Sequence, residues 1–276
     1  MSGDAGIESI GLYTNLDRIA SGLARLGIGP TDAISPEQLF QLDQWHYHGT
    51  AAIDAAAAAL RLGPESRILE IGSGIGGPAR YLAHAIGCRV TALELQPKVH
   101  AIAEELTRRC ELDGRVTHVC GDALAHPLPP ASFDAAVSWL AVLHIPDRPR
   151  LLARIASALR PGGGCCLEDF SMRAPFEAAD LRDLRDIVFG ITVTSTEAYV
   201  ADLHAAGFAS IEVMDMTDEW TGFVTARLQA WRANHAAYAR AHGEAAYAAQ
   251  ETFYAAVARL FESGRLGGVR VVAHVS

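Results

Sequence analysis

The stretch Leu69–Ala83 reads LEIGSGIGGPARYLA. A short apolar run, Arg67–Ile71, ends abruptly in glycines, and a segment with helical periodicity, Gly77–Ile86, follows. The pattern is strand, glycine loop, helix. Gly72, Gly74 and Gly76 let the backbone turn sharply and approach a ligand with no side chain in the way. The core is G-x-G-x-G-G and not the dinucleotide fingerprint G-x-G-x-x-G, and a glycine pattern alone fits several ligands. A helix N-terminus favours negative charge. Glu70, just before the loop, opposes a pyrophosphate and suits a ligand that carries an ammonium group.

Working outward, the same alternation continues. Further strand candidates are Arg89–Glu94, Arg115–Cys120, Ala135–Trp139 and Gly164–Asp169. Helix-period stretches at Pro97–Glu111 and Arg148–Leu159 lie between them, and Arg160-Pro161-Gly162-Gly163 is a stop after the last. Strands alternating with helices predict an α/β fold, a Rossmann-like, mostly parallel sheet with helices on both faces. Three regions follow. Residues 1–59 read as a helical N-terminal lid, broken at Pro30 and Pro36, with an aromatic segment LDQWHYHGT at Leu42–Thr50. Residues 60–170 are the binding core. Residues 171–276 hold a charged helix (Glu177–Phe189), a strand (Ile211–Met216), a long Ala-rich helical region (Phe223–Phe261) and a closing strand (Val269–Val275). They read as an acceptor lid that also completes the sheet.

The acids fall where ligands bind in open sheets. Glu94 ends the second strand, where a carboxylate can accept both hydroxyls of a ribose. Asp122, in the turn Gly121-Asp122-Ala123, can accept from the exocyclic amine of an adenine. With Glu70 they describe a pocket for an amino-acid head, a ribose and an adenine. An NAD site or plain strand ends are the competing readings.

Composition narrows the partners. The 276 residues carry 23 Lys plus Arg against 32 Asp plus Glu, a net charge of −9, and half of them are hydrophobic. The one lysine is Lys98, so a polybasic patch would have to be built of arginine, and no such run exists. That excludes a nucleic-acid or membrane-surface partner as the expectation. Five scattered cysteines without a C-x-x-C predict reduced thiols. The start lacks the charged and apolar regions of a secretory signal, and no run of about 18 apolar residues exists, so a cytoplasmic location is expected.

From Arg67 to about Phe170 the chain resembles the class I S-adenosylmethionine (SAM)-dependent methyltransferases. The E-x-G-x-G-x-G loop, the acid ending strand two, the G-D-A turn, VLHIPDR (Val142–Arg148) and LRPGGG (Leu159–Gly164) stand in that family's order. The resemblance implies seven strands with an antiparallel last strand, supplied by Ile211–Met216 and Val269–Val275. It implies SAM as cofactor and S-adenosylhomocysteine as product. Gly72, Gly74 and Gly76 would cradle the methionine part, Glu94 and Leu95 the ribose, and Asp122 with Ala123 the adenine; Glu70 and Trp139 complete the pocket. Gln96 departs from the small residue often found just after the ribose acid.

For catalysis the first candidate is His144, at the carboxyl edge of the sheet, with a pKa suited to a general base. Asp169 and Glu168 end the fifth strand; alternation sends one toward the pocket and the other toward a helix layer. By resemblance to sugar O-methyltransferases of natural-product pathways, His144 and Asp169 would act at an acceptor hydroxyl. Glu168 is the base if carbon is methylated. Trp45-His46-Tyr47-His48 is read as a packed aromatic helix closing over the cofactor. Its histidines at i and i+2 do not share a face, so no metal site is expected. In the similar phosphoethanolamine methyltransferases an N-terminal Tyr pairs with a His at the place of His144; Tyr13 and Tyr47 compete for that role. Trp45, Tyr47 and Trp220 are candidate walls for the substrate. Asp180, Asp183 and Asp186 read as a solvated helix face.

The expected activity is methyl transfer to a small molecule, with O-methylation of a hydroxylated metabolite leading. N-methylation of a small amine is next, since scarce Lys and scattered Arg do not favour a phosphate. C-methylation of an isoprenoid or prenyl diphosphate is third. From another class, the chain would bind SAM without transferring methyl, as a cyclase or binding module. A homo-oligomer is compatible with N-terminal helices that cover either the chain's own pocket or a neighbour's.

Overall fold

The computed structural model describes residues 17–276, so Tyr13 lies outside the described residues. The strands are β1 (Arg67–Ile71), β2 (Arg89–Glu94), β3 (Val116–Cys120), β4 (Phe133–Trp139), β5 (Leu159–Met172), β6 (Thr194–Ser195), β7 (Phe208–Asp215) and β8 (Leu266–Val275). They form one sheet in the order β3-β2-β1-β4-β5-β8-β7, with the short β6 pairing beside β5. The pairs from β3 through β5 are parallel, whereas β8 runs antiparallel to both β5 and β7. The architecture is Rossmann-like. Its antiparallel strand is β8, which begins earlier than the apolar run at Val269 suggests. Gly267 and Gly268 extend it, because a Cβ on Gly268 would come within 2.1 Å of the Trp220 ring.

The helices are α1 (Asp17–Arg25), α2 (Pro36–Asp43), α3 (Thr50–Ala59), α4 (Gly77–Tyr81), α5 (Pro97–Arg109), α6 (Arg148–Ala158), α7 (Ala178–Asp183), α8 (Thr196–Ala205), α9 (Thr217–Ala233), α10 (His235–His242) and α11 (Glu244–Glu262). One sheet face carries Ile68, Val90 and Val137 against Leu39, Ile53, Leu82 and Leu106 of the N-terminal half. The other carries Leu69, Ala136 and Leu167 against Leu151, Ile155 and Leu203 of α6 and α8. Burial on both faces explains why these strands read as continuous apolar runs. A third cluster joins Tyr47 and Phe170 to Trp220 of α9 and Val257 and Phe261 of α11. It ties the C-terminal helices to the end of β5.

One expected helix is absent, and the expected Ala-rich helical region is divided. The segment around Trp45–His48 is a loop between α2 and α3: His48 (φ 59°) and Gly49 (φ 54°) are both left-handed, which a helix does not tolerate. The Ala-rich region is three helices. Asn234 ends α9, its side-chain amide donating back to the Ala230 carbonyl at 2.8 Å, and Gly243 (φ 85°) separates α10 from α11. Alanine favours helix everywhere along this stretch, so composition alone hides these breaks. Asp180, expected on a solvated face, is buried; it caps α7 and pairs with Arg259 at 3.1 Å.

Among the described residues no helix is long and apolar enough to cross a membrane, and no group of three or more His, Cys, Asp or Glu is placed to hold a metal ion.

Candidate active site

A cavity opens at the carboxyl ends of β1, β2 and β4, the edge where strand order changes direction around β1. The glycine loop forms its floor. The N–H groups of Gly72 and Ser73 donate to the Leu93 carbonyl at 2.9 and 3.0 Å, which ties the loop to β2. The buried Arg80 clamps it from behind, donating to the Ile75 carbonyl at 2.6 Å and to the Asp43 carboxylate at 2.8 Å. Gly72 (φ 68°) sits so near β4's exit that a Cβ would meet the Ala141 methyl at 2.3 Å. Gly74 (φ 53°) lines the cavity, and a Cβ there would meet no protein atom within 4 Å. Gly76 is different: it caps α4, and a Cβ would press on His118 and Arg80. It shapes the turn and is not part of the cavity wall.

Four carboxyl groups line the cavity, of which Asp43 is paired with Arg80. Glu70 is fully buried, its Oε2 has no hydrogen-bond partner among the described residues, and burial pushes its pKa up to about 8. Glu94 accepts the N–H groups of Gly74 and Gln96, each at 2.9 Å; burial raises its pKa, and those two donors oppose the rise. Gln96, the departure noted in the sequence, thus serves the acid through its backbone. Asp122 accepts the Leu124 N–H at 2.8 Å. Leu95, Ala123 and Trp139 line the same space. The indole of Trp139 stacks on His46 with centroids 5.5 Å apart, and its Nε1 is buried without a partner among the described residues. Trp45, under the Arg18 guanidinium at 3.6 Å, and Tyr47 close the cavity from the α2–α3 loop.

His144 lies in a one-turn 3₁₀ segment, Val142–His144, after β4, and its ring lines the cavity. Its Nδ1 is 2.8 Å from the Phe189 carbonyl, and burial holds its pKa below the ordinary value. The segment after α7 braces this turn. Ile191 N–H donates to the Leu143 carbonyl at 2.9 Å, and Arg148 reaches the Thr192 carbonyl at 2.7 Å and the Asp202 carboxylate at 2.6 Å.

Besides Gly76, three expected site residues are elsewhere. Glu168 and Asp169 are both buried, and neither is part of the cavity wall. Glu168 takes a charge-paired Arg270 at 2.6 Å across the β5–β8 pair. Asp169 faces the opposite layer, near Tyr199 and Arg148 and behind the Leu143 backbone, and burial pushes its pKa up to about 7. The alternation argument correctly puts the two on opposite faces. Each is taken up before the cavity: Glu168 by Arg270 of the neighbouring strand β8, and Asp169 by the surroundings of Tyr199 and Arg148. Trp220 is fully buried core, with its ring edge-on to Tyr47 at 5.0 Å; it backs the wall and does not form it.

Sequence reasoning missed the far wall, which comes from the C-terminal helices. Arg227 of α9 and Gln250, Phe253 and Tyr254 of α11 line the cavity beside Tyr47. No local signal marks them: α9 also carries Arg232 and Gln229, and α11 carries Arg259, so neither Arg227 nor Gln250 stands out in the sequence.

Residues 69–167 match the family model described as a methyltransferase domain. The chain is 33% identical over 180 residues to 27-O-demethylrifamycin SV methyltransferase of Amycolatopsis mediterranei (strain S699), covering 62% of this chain and 66% of that protein. It is 31% identical over 164 residues to sarcosine/dimethylglycine N-methyltransferase of Halorhodospira halochloris, covering 58% of this chain and 57% of that protein. Among solved structures, Haemonchus contortus phosphoethanolamine N-methyltransferase 2, in complex with phosphomonomethylethanolamine and S-adenosylhomocysteine, superposes with a TM-score of 0.79 at 22% identity, over 92% of this chain and 60% of that one. The chain therefore spans less than two thirds of the length of these relatives. The matched segment begins inside β1 and ends inside β5, so it contains the strand ends that carry Glu70, Glu94 and Asp122, and over this segment the chain carries a methyltransferase domain.

Proposed function

We propose that the chain transfers a methyl group from SAM to a small-molecule acceptor, with His144 as the base. The residues fit the cofactor by their chemistry. SAM offers an ammonium, ribose hydroxyls and an adenine amine, all donors, and the cavity wall presents the acceptors Glu70, Glu94 and Asp122. The orphaned Oε2 of Glu70 suits the ammonium. The open space over Gly74 suits close backbone approach. SAM, when bound, supplies an electrophilic methyl on a sulfonium.

The protein's own work is to orient the acceptor, exclude water and remove a proton. Orientation can contribute ~7–11 kcal/mol in favourable systems, and a positioned base a further ~10²–10⁴-fold. The observation that carries the reading is a cavity whose wall holds both donor-seeking acids and a fixed imidazole. A hydroxyl acceptor leads because it needs that base; the methyltransferase from Amycolatopsis mediterranei, named for an O-demethyl substrate, supports it. An amine acceptor is the second reading, supported by the sarcosine/dimethylglycine enzyme's name. The test is incubation with SAM and a panel of hydroxylated aromatics, amines and prenyl diphosphates. S-adenosylhomocysteine accumulating only with an acceptor supports transfer. Tight SAM binding with no product across the panel would favour a non-methylating cyclase or binding module.

A further inference from the structure

The cavity wall beside Tyr47 carries a cation, Arg227, with two donor atoms that have no hydrogen-bond partner among the described residues. Arg227 projects from α9 into a cage of rings: its guanidinium carbon lies 4.3 Å from the centroid of Tyr254, 4.9 Å from that of Tyr47 and 5.4 Å from that of Phe223. Its Nε and Nη2 are buried and have no hydrogen-bond partner among the described residues. The carboxylates of the neighbouring helices are engaged elsewhere. Glu251 pairs with Arg232 at 2.7 Å, Glu219 with His48 at 3.4 Å, and Glu262 accepts from Thr225 at 3.0 Å.

Stacking on rings uses the faces of a guanidinium and fixes its plane. Here Nε and Nη2 are left unmatched among the described residues, while Arg227 also donates to the Tyr47 hydroxyl and opposes the rise that burial causes in that hydroxyl's pKa. An arginine cannot shed its proton to relieve this, and a buried charged donor left unsatisfied is costly. The shape that completes the fork is a planar or tetrahedral oxyanion, which two adjacent N–H groups meet in bidentate fashion. Gln250 and the Tyr254 ring on α11 border the same space.

We infer that Arg227 is a specificity-determining residue that receives an anionic group, carboxylate or phosphate, on the acceptor. This rests on the methyl-transfer reading and narrows its substrate class. It also reverses the expectation from scarce lysine and scattered arginine, because a single buried fork suffices. Within the cavity, carboxylates then hold one ligand, and Arg227 holds the anionic end of the other.

The test is a binding experiment. Wild-type protein is first titrated with S-adenosylhomocysteine, which decides the cofactor reading on its own. The loaded protein, or the free protein if that first titration shows no binding, is then titrated with benzoate, phenyl phosphate and the neutral benzamide. The inference expects at least one anion to bind about tenfold or more tighter than benzamide; which anion it is separates carboxylate from phosphate. In Arg227→Met the preference should vanish while S-adenosylhomocysteine affinity and the melting temperature hold. Arg227→Lys, which keeps the charge but not the fork, covers the case in which the Met variant does not fold; there the preference should shrink. Anions binding no better than benzamide, or a preference that survives in Arg227→Met or is undiminished in Arg227→Lys, would overturn the inference.

Discussion

His144 and Phe189 meet through a ring nitrogen and a main-chain carbonyl, Nδ1 to O at 2.8 Å. A carbonyl can only accept, so Nδ1 carries the proton and Nε2 is the basic nitrogen. Phe189 presents this carbonyl from a left-handed conformation (φ 57°) at the end of the turn that follows α7. One backbone contact from outside the matched domain thus sets the tautomer of the proposed base.

A pH dependence follows from that burial. The imidazole titrates below its ordinary 6.5 in the folded protein, so it is neutral and competent at pH 7. Turnover should be flat near neutrality and fall only on an acidic limb below 6.5. His144→Gln should lower kcat by ~10²–10⁴-fold with SAM affinity little changed. The sign for stability is the same. As pH drops below 6.5 the unfolded chain takes up a proton that the folded chain refuses, and stability is lost. An acidic limb centred above 6.5, or normal turnover in His144→Gln, would remove His144 from its role.

The two inner glycines separate folding from binding. Gly72→Ala combines left-handed strain of about 1–2 kcal/mol with a methyl driven into Ala141, which adds an overpacking cost of ~1–3 kcal/mol. It should lower the melting temperature clearly. Gly74→Ala meets only the strain, since a Cβ there points into open cavity space. That variant should fold but bind SAM poorly. Equal thermal losses in the two variants would contradict this division.

The sequence was legible where local chemistry carries the geometry. The glycine loop, Glu70, Glu94 and Asp122 occupy strand ends, and strand ends in this topology share one edge, so each could be placed without knowing the rest of the fold. Glu168 and Asp169 were misplaced because their surroundings come from β8 and α8, distant in sequence. Trp220 was misplaced for the same reason: it packs on Gly268 across the sheet. Arg227 carried no local signal, since its role depends on how α9 crosses Tyr47 and α11. The aromatic loop was hidden because nothing but Gly49 marks a break before α3, and the left-handed His48 is a product of tertiary packing.

The Glu168–Arg270 pair should behave as structure and not as catalysis. Its side chains are 1% and 14% exposed. Removing one partner leaves a buried charge, at a cost of about 3–5 kcal/mol. Glu168→Leu and Arg270→Met should each destabilise strongly, and the double variant should recover most of the loss. Turnover per folded molecule should change little in the double variant. A loss of turnover that persists after stability is restored would return Glu168 to the chemistry.

Cofactor binding at Glu70 should release a proton. In the ligand-free protein its carboxyl titrates at about 8, far above its ordinary 4.5, so at pH 7 it is largely protonated. Between those values the folded chain holds a proton that the unfolded chain has lost, and stability falls as pH rises through the window. A ligand ammonium beside Oε2 favours the carboxylate, so binding at pH 7 should expel the proton into the buffer. Calorimetric titrations of SAM in phosphate and in Tris at pH 7 should therefore give different apparent enthalpies. Glu70→Gln should abolish that difference and weaken affinity, while raising stability at pH 8, because the amide has no charge to bury. Identical enthalpies in both buffers with the wild-type protein would mean that Glu70 keeps its proton and does not meet the ammonium.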